Sequence, residues 1–298
     1  MPESAAPGAP SRGQPAAIRR PRPGGAAVRW VARQWWTLTR FGLSPAKLIR
    51  RIANRDEPRI LCVTIPKSGT HLLERVLCLH PRLYRKIVPT LGEPRVLRRG
   101  GFAAVLDSLR AGQIAVGHLS YRPDRPRSIE ERGVRCIFLV RDPRDMVVSR
   151  AFYVVADPKH PLREQFLREP DPAKRVRSAI AGDGGWPSID KRLRDFAGWL
   201  DSGALVVRFE DLVGPAGGGD SARQEATLRR IFAHVGVPTS DTQLARIQRR
   251  AFSETSPTFR RGSTGEWRRY FDEDTKDLFR EAVGDLLARY DYEFEPGW

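Results

Sequence analysis

Four short apolar runs, interleaved with helix-type periodicity, constrain this chain more than any other feature. Arg59–Thr64 reads as a buried strand; a Pro-Lys-Ser-Gly turn follows, and then a helix over Thr70–Leu79. Gln113–Gly117 is a second short strand, residues 135–140 a third and residues 204–209 a fourth. The third leads into a helix from Pro143 to about Val155, where proline suits the first turn. Further helices are expected near residues 189–200, 222–234, 241–252 and 275–290. Residues 157–187, rich in proline, glycine and charge, read as a long surface excursion, and residues 214–220 as a flexible loop. Strands alternating with helices imply a mainly parallel sheet covered on both faces. Ligands of such sheets bind beyond the carboxyl ends of the strands.

The basic balance is uneven. The chain has 298 residues, 52 Lys and Arg, 35 Asp and Glu, and a formal net charge of +17. Eleven of the basic residues and three of the acidic ones fall in residues 1–57. This stretch is expected to be a basic arm, and residues 58–298 one α/β domain. Residues 1–27 have the Pro-Gly-Ala-Arg composition of a disordered tail, with no apolar signal-peptide core after them. In residues 28–42, Val28, Val31, Trp35, Leu38 and Phe41 share a helical face. Two readings stand: a helix packed on the domain, or an interfacial helix on an anionic membrane, which Trp30, Trp35, Trp36 and the arginines favour. Three cysteines, Cys62, Cys78 and Cys136, are too few and scattered for a disulfide framework or a zinc site. A cytoplasmic protein is expected, peripheral to a membrane if the arm binds lipid. No nucleic-acid-binding signature accompanies the charge.

Three segments carry the chemistry. The first is Val63-Thr64-Ile65-Pro66-Lys67-Ser68-Gly69-Thr70-His71-Leu72, a strand end, a turn and a helix start. Unbonded N–H groups at a helix start favour an anion; Lys67 adds a charge, and Ser68 and Thr70 add hydroxyls. A plain Ser/Thr-capped helix is the bland alternative. The Walker A spacing is absent, which disfavours a nucleotide triphosphatase or kinase. The second segment runs from Val140-Arg141-Asp142-Pro143-Arg144-Asp145 through Ser149 to Tyr153. The third is Phe259-Arg260-Arg261-Gly262-Ser263-Thr264-Gly265-Glu266-Trp267, through Arg268 and Arg269 to Phe271. Taken singly, the second could be a solvated rim arginine and the third a surface basic loop.

In this order the three resemble the 5′-phosphosulfate loop, the 3′-phosphate motif and the C-terminal motif of bacterial-type PAPS-dependent sulfotransferases. PAPS is 3′-phosphoadenosine 5′-phosphosulfate. The resemblance implies the P-loop-like sulfotransferase fold, a central five-stranded parallel sheet flanked by helices. It also implies sulfuryl transfer from PAPS to a hydroxyl or amino acceptor, without a metal. The implied nucleotide contacts are Lys67, Ser68, Gly69, Thr70 and His71 at the 5′ end. For the 3′-phosphate they are Arg141, Ser149, Arg260, Arg261 and Gly262, with Ser149 also restraining Lys67.

The sequence departs from the family at the adenine contacts. Leu72 stands where the family has Trp, and His71 where it has a second Thr. Phe209 replaces a Tyr, and Phe252 lies in the segment that best matches a third adenine contact. Among five histidines, His118 follows a strand as the family's catalytic base does, although Gly117 and Ser120 replace the flanking Thr and Pro. By resemblance, His118 is the general base and Lys67 stabilises the leaving phosphate. Glu93 and Glu74 are reserve bases. Glu210 and Asp211 read better as a structural cap than as a catalytic pair. The competing class is a basic phosphate- or nucleic-acid-binding module without catalysis. The acceptor is expected to be a small molecule, a sugar or a lipid-linked alcohol, its pocket shaped by residues 81–112 and 157–187.

Overall fold

The computed structural model describes residues 56–86, 88–182, 186–252 and 262–294. The arm helix expected at residues 28–42 therefore lies outside the described residues, as do Arg260 and Arg261. Five strands form one sheet: β1 Arg59–Thr64, β2 Tyr84–Arg85, β3 Gln113–Gly117, β4 Val134–Val140 and β5 Leu205–Arg208. Their order is β2-β3-β1-β4-β5, and every pairing is parallel. β1 pairs with β3 from Ile60↔Ile114 to Val63↔Gly117, and with β4 from Arg59↔Val134 to Thr64↔Leu139. The carboxyl ends of β3, β1 and β4 therefore finish at one level. The chain leaves β1 toward β2 and β3 on one side and later crosses to β4 on the other. This is the topological switch at which such sheets bind ligands.

Strand alternation separates two cores. Leu61, Val63, Ala115, Cys136, Phe138 and Val140 face one; Ile60, Cys62, Ile114, Val116, Ile137, Leu139 and Val207 face the other. The second core is closed by α1 (Thr70–Leu79), through Leu73, Val76 and Leu77, and by two later helices, Ser221–Val235 and Asp241–Ala251. The first core takes the helices Pro143–Ala156 and Ile189–Ala197. Numbered in chain order, the helices after α1 are α2 Glu93–Arg98, α3 Phe102–Asp107, α4 Asp124–Glu131, α5 Pro143–Ala156, α6 Arg163–Arg168, α7 Pro172–Ala181, α8 Ile189–Ala197, α9 Phe209–Leu212, α10 Ser221–Val235, α11 Asp241–Ala251, α12 Glu273–Val283 and α13 Leu286–Arg289.

Two expectations need correction. The 157–187 stretch is not a surface excursion. It folds into α6 and α7, and Phe166, Val176, Ala179 and Ile180 are buried in the first core. Proline there starts α7 at its first turn, behind an Asp171 cap whose side chain accepts from Ala173 N. The helix expected near 275–290 is two helices, broken where Gly284 takes φ 46°, ψ −121°. The edge strand β2 and helices α2 to α4 are short elements that periodicity did not announce.

Trp199 ties α8 to the segment that follows β3. It is fully buried, and its indole N–H donates to the Leu119 carbonyl at 2.8 Å. Trp199→Phe keeps most of the ring volume but leaves that carbonyl without its donor. The expected cost is about 1–3 kcal/mol. It should read as a lower urea midpoint at unchanged m value. A midpoint equal to the parent's would mean that this bond does not anchor the segment.

Candidate active site

The turn after β1 opens the start of the next helix. Ser68 N bonds Ile65 O at 3.0 Å, which closes the turn, and Gly69 then adopts φ 99°, ψ 31° as the N-cap of α1. No side chain caps this helix, and Leu72 N turns back to Gly69 O at 2.8 Å, so the Thr70 and His71 N–H groups at the helix start keep no intrahelical partner. The buried Ser68 hydroxyl also has no hydrogen-bond partner. Donors lacking an acceptor fit an oxyanion such as a 5′-phosphate. Gly69 is required twice over: its φ is left-handed, and an added Cβ would lie 2.4 Å from Phe209 Cδ2. Lys67 also has positive φ, 75°, an uncommon conformation for a non-glycine residue. Its ammonium lies 4.0 Å from the centroid of the Tyr153 ring.

Arg141, at the end of β4, joins all three segments. Its Nη1 donates to Lys67 O at 3.4 Å and its Nη2 to Ser263 O at 2.9 Å, while its guanidinium lies 4.4 Å from the Phe209 ring centroid. Its Nε is buried without a partner. One turn on, the buried carboxylate of Asp145 accepts from Gly265 N at 2.8 Å and Trp267 N at 3.0 Å. Burial pushes the Asp145 pKa up, and the Arg141 charge opposes that shift. The third segment is further seated on the 214–219 loop. Thr264 N donates to Gly217 O at 3.1 Å, and an added Cβ at Gly217 would meet Gly262 O at 2.5 Å. Phe252 flanks the same loop, its Cε2 3.3 Å from that added Cβ. Ser149 is half-buried one turn before Tyr153 on α5, so the two share a helical face.

His118 follows β3. Its Nδ1 lies 2.8 Å from Thr64 O and 3.1 Å from Thr64 Oγ1, and that hydroxyl is 2.9 Å from Thr70 Oγ1. A carbonyl only accepts, so the Thr64 bond sets the tautomer: Nδ1 carries the proton and Nε2 keeps the lone pair. Burial lowers the His118 pKa. The Thr64 bond opposes this, and the charges of Arg192, His71 and Lys67 add to the lowering. The ring is therefore neutral at pH 7, as a base must be.

The other expected residues divide cleanly. Leu72 packs partly buried against the second core. Phe209 is buried between Gly69 and Arg141 and so forms a shelf beneath the loop. Glu74 is buried and paired to Arg85 Nη1 at 2.8 Å, with His71 Nδ1 at 3.8 Å. Glu93 binds Arg125 through both oxygens, at 2.9 and 2.6 Å, and the hydrogen bond from Arg125 lowers its pKa. Glu210 is a structural bolt: Oε1 accepts from Asp142 N at 3.0 Å and Oε2 from Tyr292 Oη at 2.7 Å. All three cysteines are buried and none forms a disulfide, and burial raises the Cys136 pKa to about 12. Among the described residues no group of three His, Cys, Asp or Glu side chains could hold a metal ion, and no helix is long and apolar enough to cross a membrane. The sequence reading missed Thr64 and Asp145 as organising residues, although both lie within the segments it singled out.

Comparison with known proteins places this arrangement. A family model described as the sulfotransferase domain matches residues 57–212. The 3-alpha-hydroxysteroid sulfotransferase of Cavia porcellus is 22% identical over 294 residues, covering 86% of this chain and 94% of that protein. Mouse sulfotransferase SULT7A1, solved in complex with PAP, shares the fold at TM-score 0.57 and 20% identity, over 84% of this chain and 94% of that one. Retinol dehydratase, solved with androsterone and inactive cofactor PAP, does so at TM-score 0.51 and 16% identity, over 85% and 88%. Since the family model spans more than half of the chain, from just before β1 to the end of α9, the protein belongs to the PAPS-dependent sulfotransferase family.

Proposed function

We infer that the protein transfers the sulfuryl group of PAPS to a hydroxyl of a small-molecule acceptor, with His118 as general base and Lys67 as the charge stabiliser. The observation that carries this reading is the 2.8 Å bond from His118 Nδ1 to the Thr64 carbonyl. It fixes the tautomer of the base on the residue that leads into the anion-binding turn, so base and phosphate cradle are held by one strand end. Bound PAPS would supply the sulfuryl group and an already good leaving phosphate. His118 Nε2 takes the acceptor hydroxyl proton as that oxygen attacks. Lys67 holds its ammonium beside the turn, where it offsets charge on the departing phosphate oxygens. The α1 N–H groups and the Ser68 hydroxyl hold the 5′-phosphate. Arg141, Ser149, Arg260, Arg261 and Gly262 hold the 3′-phosphate; the spare Nε of Arg141 supports its part. Phe209 supports the turn from below, and Phe252 and His71 complete the nucleotide contacts. The hydroxysteroid in one similar protein's name and the androsterone bound to another support a small hydroxyl compound as the acceptor class.

The 3′-phosphate contacts distinguish PAP, the desulfated nucleotide, from ATP. At a PAP concentration of one hundred Kd the folded state should gain about 2.7 kcal/mol, with a much smaller gain from ATP at the same concentration. Equal thermal shifts from the two would overturn the 3′-phosphate assignment.

His118→Ala should lower turnover by about 10²–10⁴ and leave PAP affinity nearly unchanged. Lys67→Ala should lower turnover by about 10²–10³ and weaken nucleotide binding as well. Turnover paired with PAP titration of each variant checks the split. Near-normal turnover of the His118 variant from pH 6 to 9 would remove it as the base.

The lowered pKa of His118 sets the sign of the pH dependence. The neutral ring is the active form, so kcat/KM should be flat above about pH 6.5 and fall only on the acid side of that value. An acid limb centred above pH 7 would contradict the neutral, desolvated base.

A further inference from the structure

Two buried arginines, one of them on the helix packed along the His118 segment, form no ion pair with a carboxylate among the described residues. Arg192, on α8, is 9% exposed, and Arg150, on α5, is 4% exposed. The Arg192 side chain makes no hydrogen bond or ion pair with any described residue, and its Nε is buried and unsatisfied. Of the carboxylates on the same helix, Asp190 is engaged by Arg194 Nε at 2.7 Å and Asp195 by Lys191 Nζ at 3.0 Å through both oxygens, so Asp195 acts on Arg192 through its charge without a direct ion pair. Arg150 is better seated. Its Nη1 donates to Ala179 O at 3.2 Å and Pro187 O at 2.6 Å, and its guanidinium lies 4.7 Å from the Trp186 ring centroid. These contacts satisfy donors but leave the positive charge without a counter-charge. Desolvation, with the charge of Arg192 adding to it, pushes the Arg150 pKa down to about 9, and desolvation brings that of Arg192 to about 10.

Arg192 lies on the helix fixed against the reaction centre, and Arg150 is tied to that helix. Asp195 O accepts from Tyr121 N at 2.6 Å, and Trp199 donates to Leu119 O, so α8 and the turn after it lie directly along the strand end that carries His118. Arg150 bonds Pro187 O, and Ser188 O in turn accepts Arg192 N at 3.1 Å, so the start of α8 is held to α5. From Arg150 a chain of rings runs back to the lysine. Trp186 lies 4.1 Å from His160, His160 lies 5.8 Å from Tyr153, and Tyr153 lies beneath Lys67. The charge of Arg192 reaches His118 and helps to hold its ring neutral.

A buried charge is retained when something pairs with it. The α1 turn already provides for the donor nucleotide, and α8 approaches His118 by way of a different strand end. We propose that Arg192, backed by Arg150, binds an oxyanion on the acceptor, so that the acceptor is an alcohol or phenol carrying a carboxylate or phosphate group. This rests on the sulfotransferase reading of the His118 site and narrows its acceptor class. A neutral steroid-like alcohol would leave both guanidinium groups unpaired.

The test uses the full-length protein saturated with PAP. Matched probes are glucose, glucuronate and glucose 6-phosphate, with 4-methylphenol and 4-hydroxyphenylacetate as an aryl set. The anionic members should raise the melting temperature of the PAP-loaded protein and the neutral ones should not; the carboxylate and phosphate arms identify which oxyanion is preferred. Arg192→Gln should weaken that binding about thirtyfold or more, while PAP binding stays as in the parent. Arg192→Lys, which keeps the charge, should restore part of it. Where a probe is sulfated, the loss should fall on KM rather than kcat. Three results overturn the proposal: no anionic probe binds, neutral and anionic members bind alike, or Arg192→Gln weakens PAP as much as the probes. PAP binding in the same samples reports separately on the donor-site reading, so a failure of either is recognisable.

Discussion

The site depends on the parallel pairing of β1 between β3 and β4. The register puts Val63 opposite Gly117 and Thr64 opposite Leu139, so three chain segments leave the sheet at one level. A one-residue slip of β1 would exchange the side chains assigned to the two cores. It would also carry Thr64 away from His118, whose imidazole takes its tautomer from the Thr64 carbonyl. The chemistry is therefore protected by the same burial that stabilises the sheet. Ile60, Leu61, Cys62 and Val63 are all fully buried, so a shifted register would disrupt the packing of both cores.

Above the sheet, polar contacts replace apolar packing. Arg141 spans from the Lys67 carbonyl to the Ser263 carbonyl, Asp145 holds the Gly265 and Trp267 N–H groups, and Glu210 ties Asp142 N to Tyr292. These are charged side chains acting on backbone groups, so they fix loops whose own backbone has no ladder partner. Asp142 uses its carboxylate differently: it caps α5 through Arg144 N and forks onto the Arg144 guanidinium. The second segment thus has two roles that its spelling merges. Asp142, Arg144 and Asp145 build the frame, and Arg141 and Ser149 are the members proposed to meet the nucleotide.

How legible all this was depends on the length scale of each interaction. β1, α1 and β3 read directly from apolar runs and the turn between them, because local pattern decides buried parallel strands. The two-residue β2 did not, since Tyr84–Arg85 carries no periodicity and pairs only because β3 offers an edge. Residues 157–187 misled by composition: prolines and charges mark loops on average, yet Pro172 starts a helix and Val176, Ala179 and Ile180 repeat at helical spacing. In the site, Lys67, Ser68, Gly69 and His118 stood out because their chemistry is carried by their own side chains and turn. Phe209 did not reveal its packing, because a ring pressed against Gly69 is 140 residues away in sequence and looks identical to a ring that stacks on a base. The contacts of Arg260 and Arg261 rest on the motif alone.

Arginine richness carries little information until burial and pairing are known. Arg127–Glu131 and Arg229–Glu225 are solvated pairs at helical i,i+4 spacing, and such pairs contribute little to stability. Six arginines are buried among the described residues: Arg85, Arg125, Arg141, Arg144, Arg150 and Arg192. The first four each meet a carboxylate, in Glu74, Glu93, Asp145 and Asp142 respectively. Desolvation there is offset within the fold, which makes those ion pairs part of the frame. Arg150 and Arg192 differ in kind, because neither forms an ion pair with a described carboxylate; Arg192 lies on the helix that packs on the His118 segment, and Arg150, on α5, is tied to the start of that helix. The sequence assigns one letter to all six. Only the distribution of their counter-charges separates the arginines that hold the enzyme together from the pair left to recognise what it modifies.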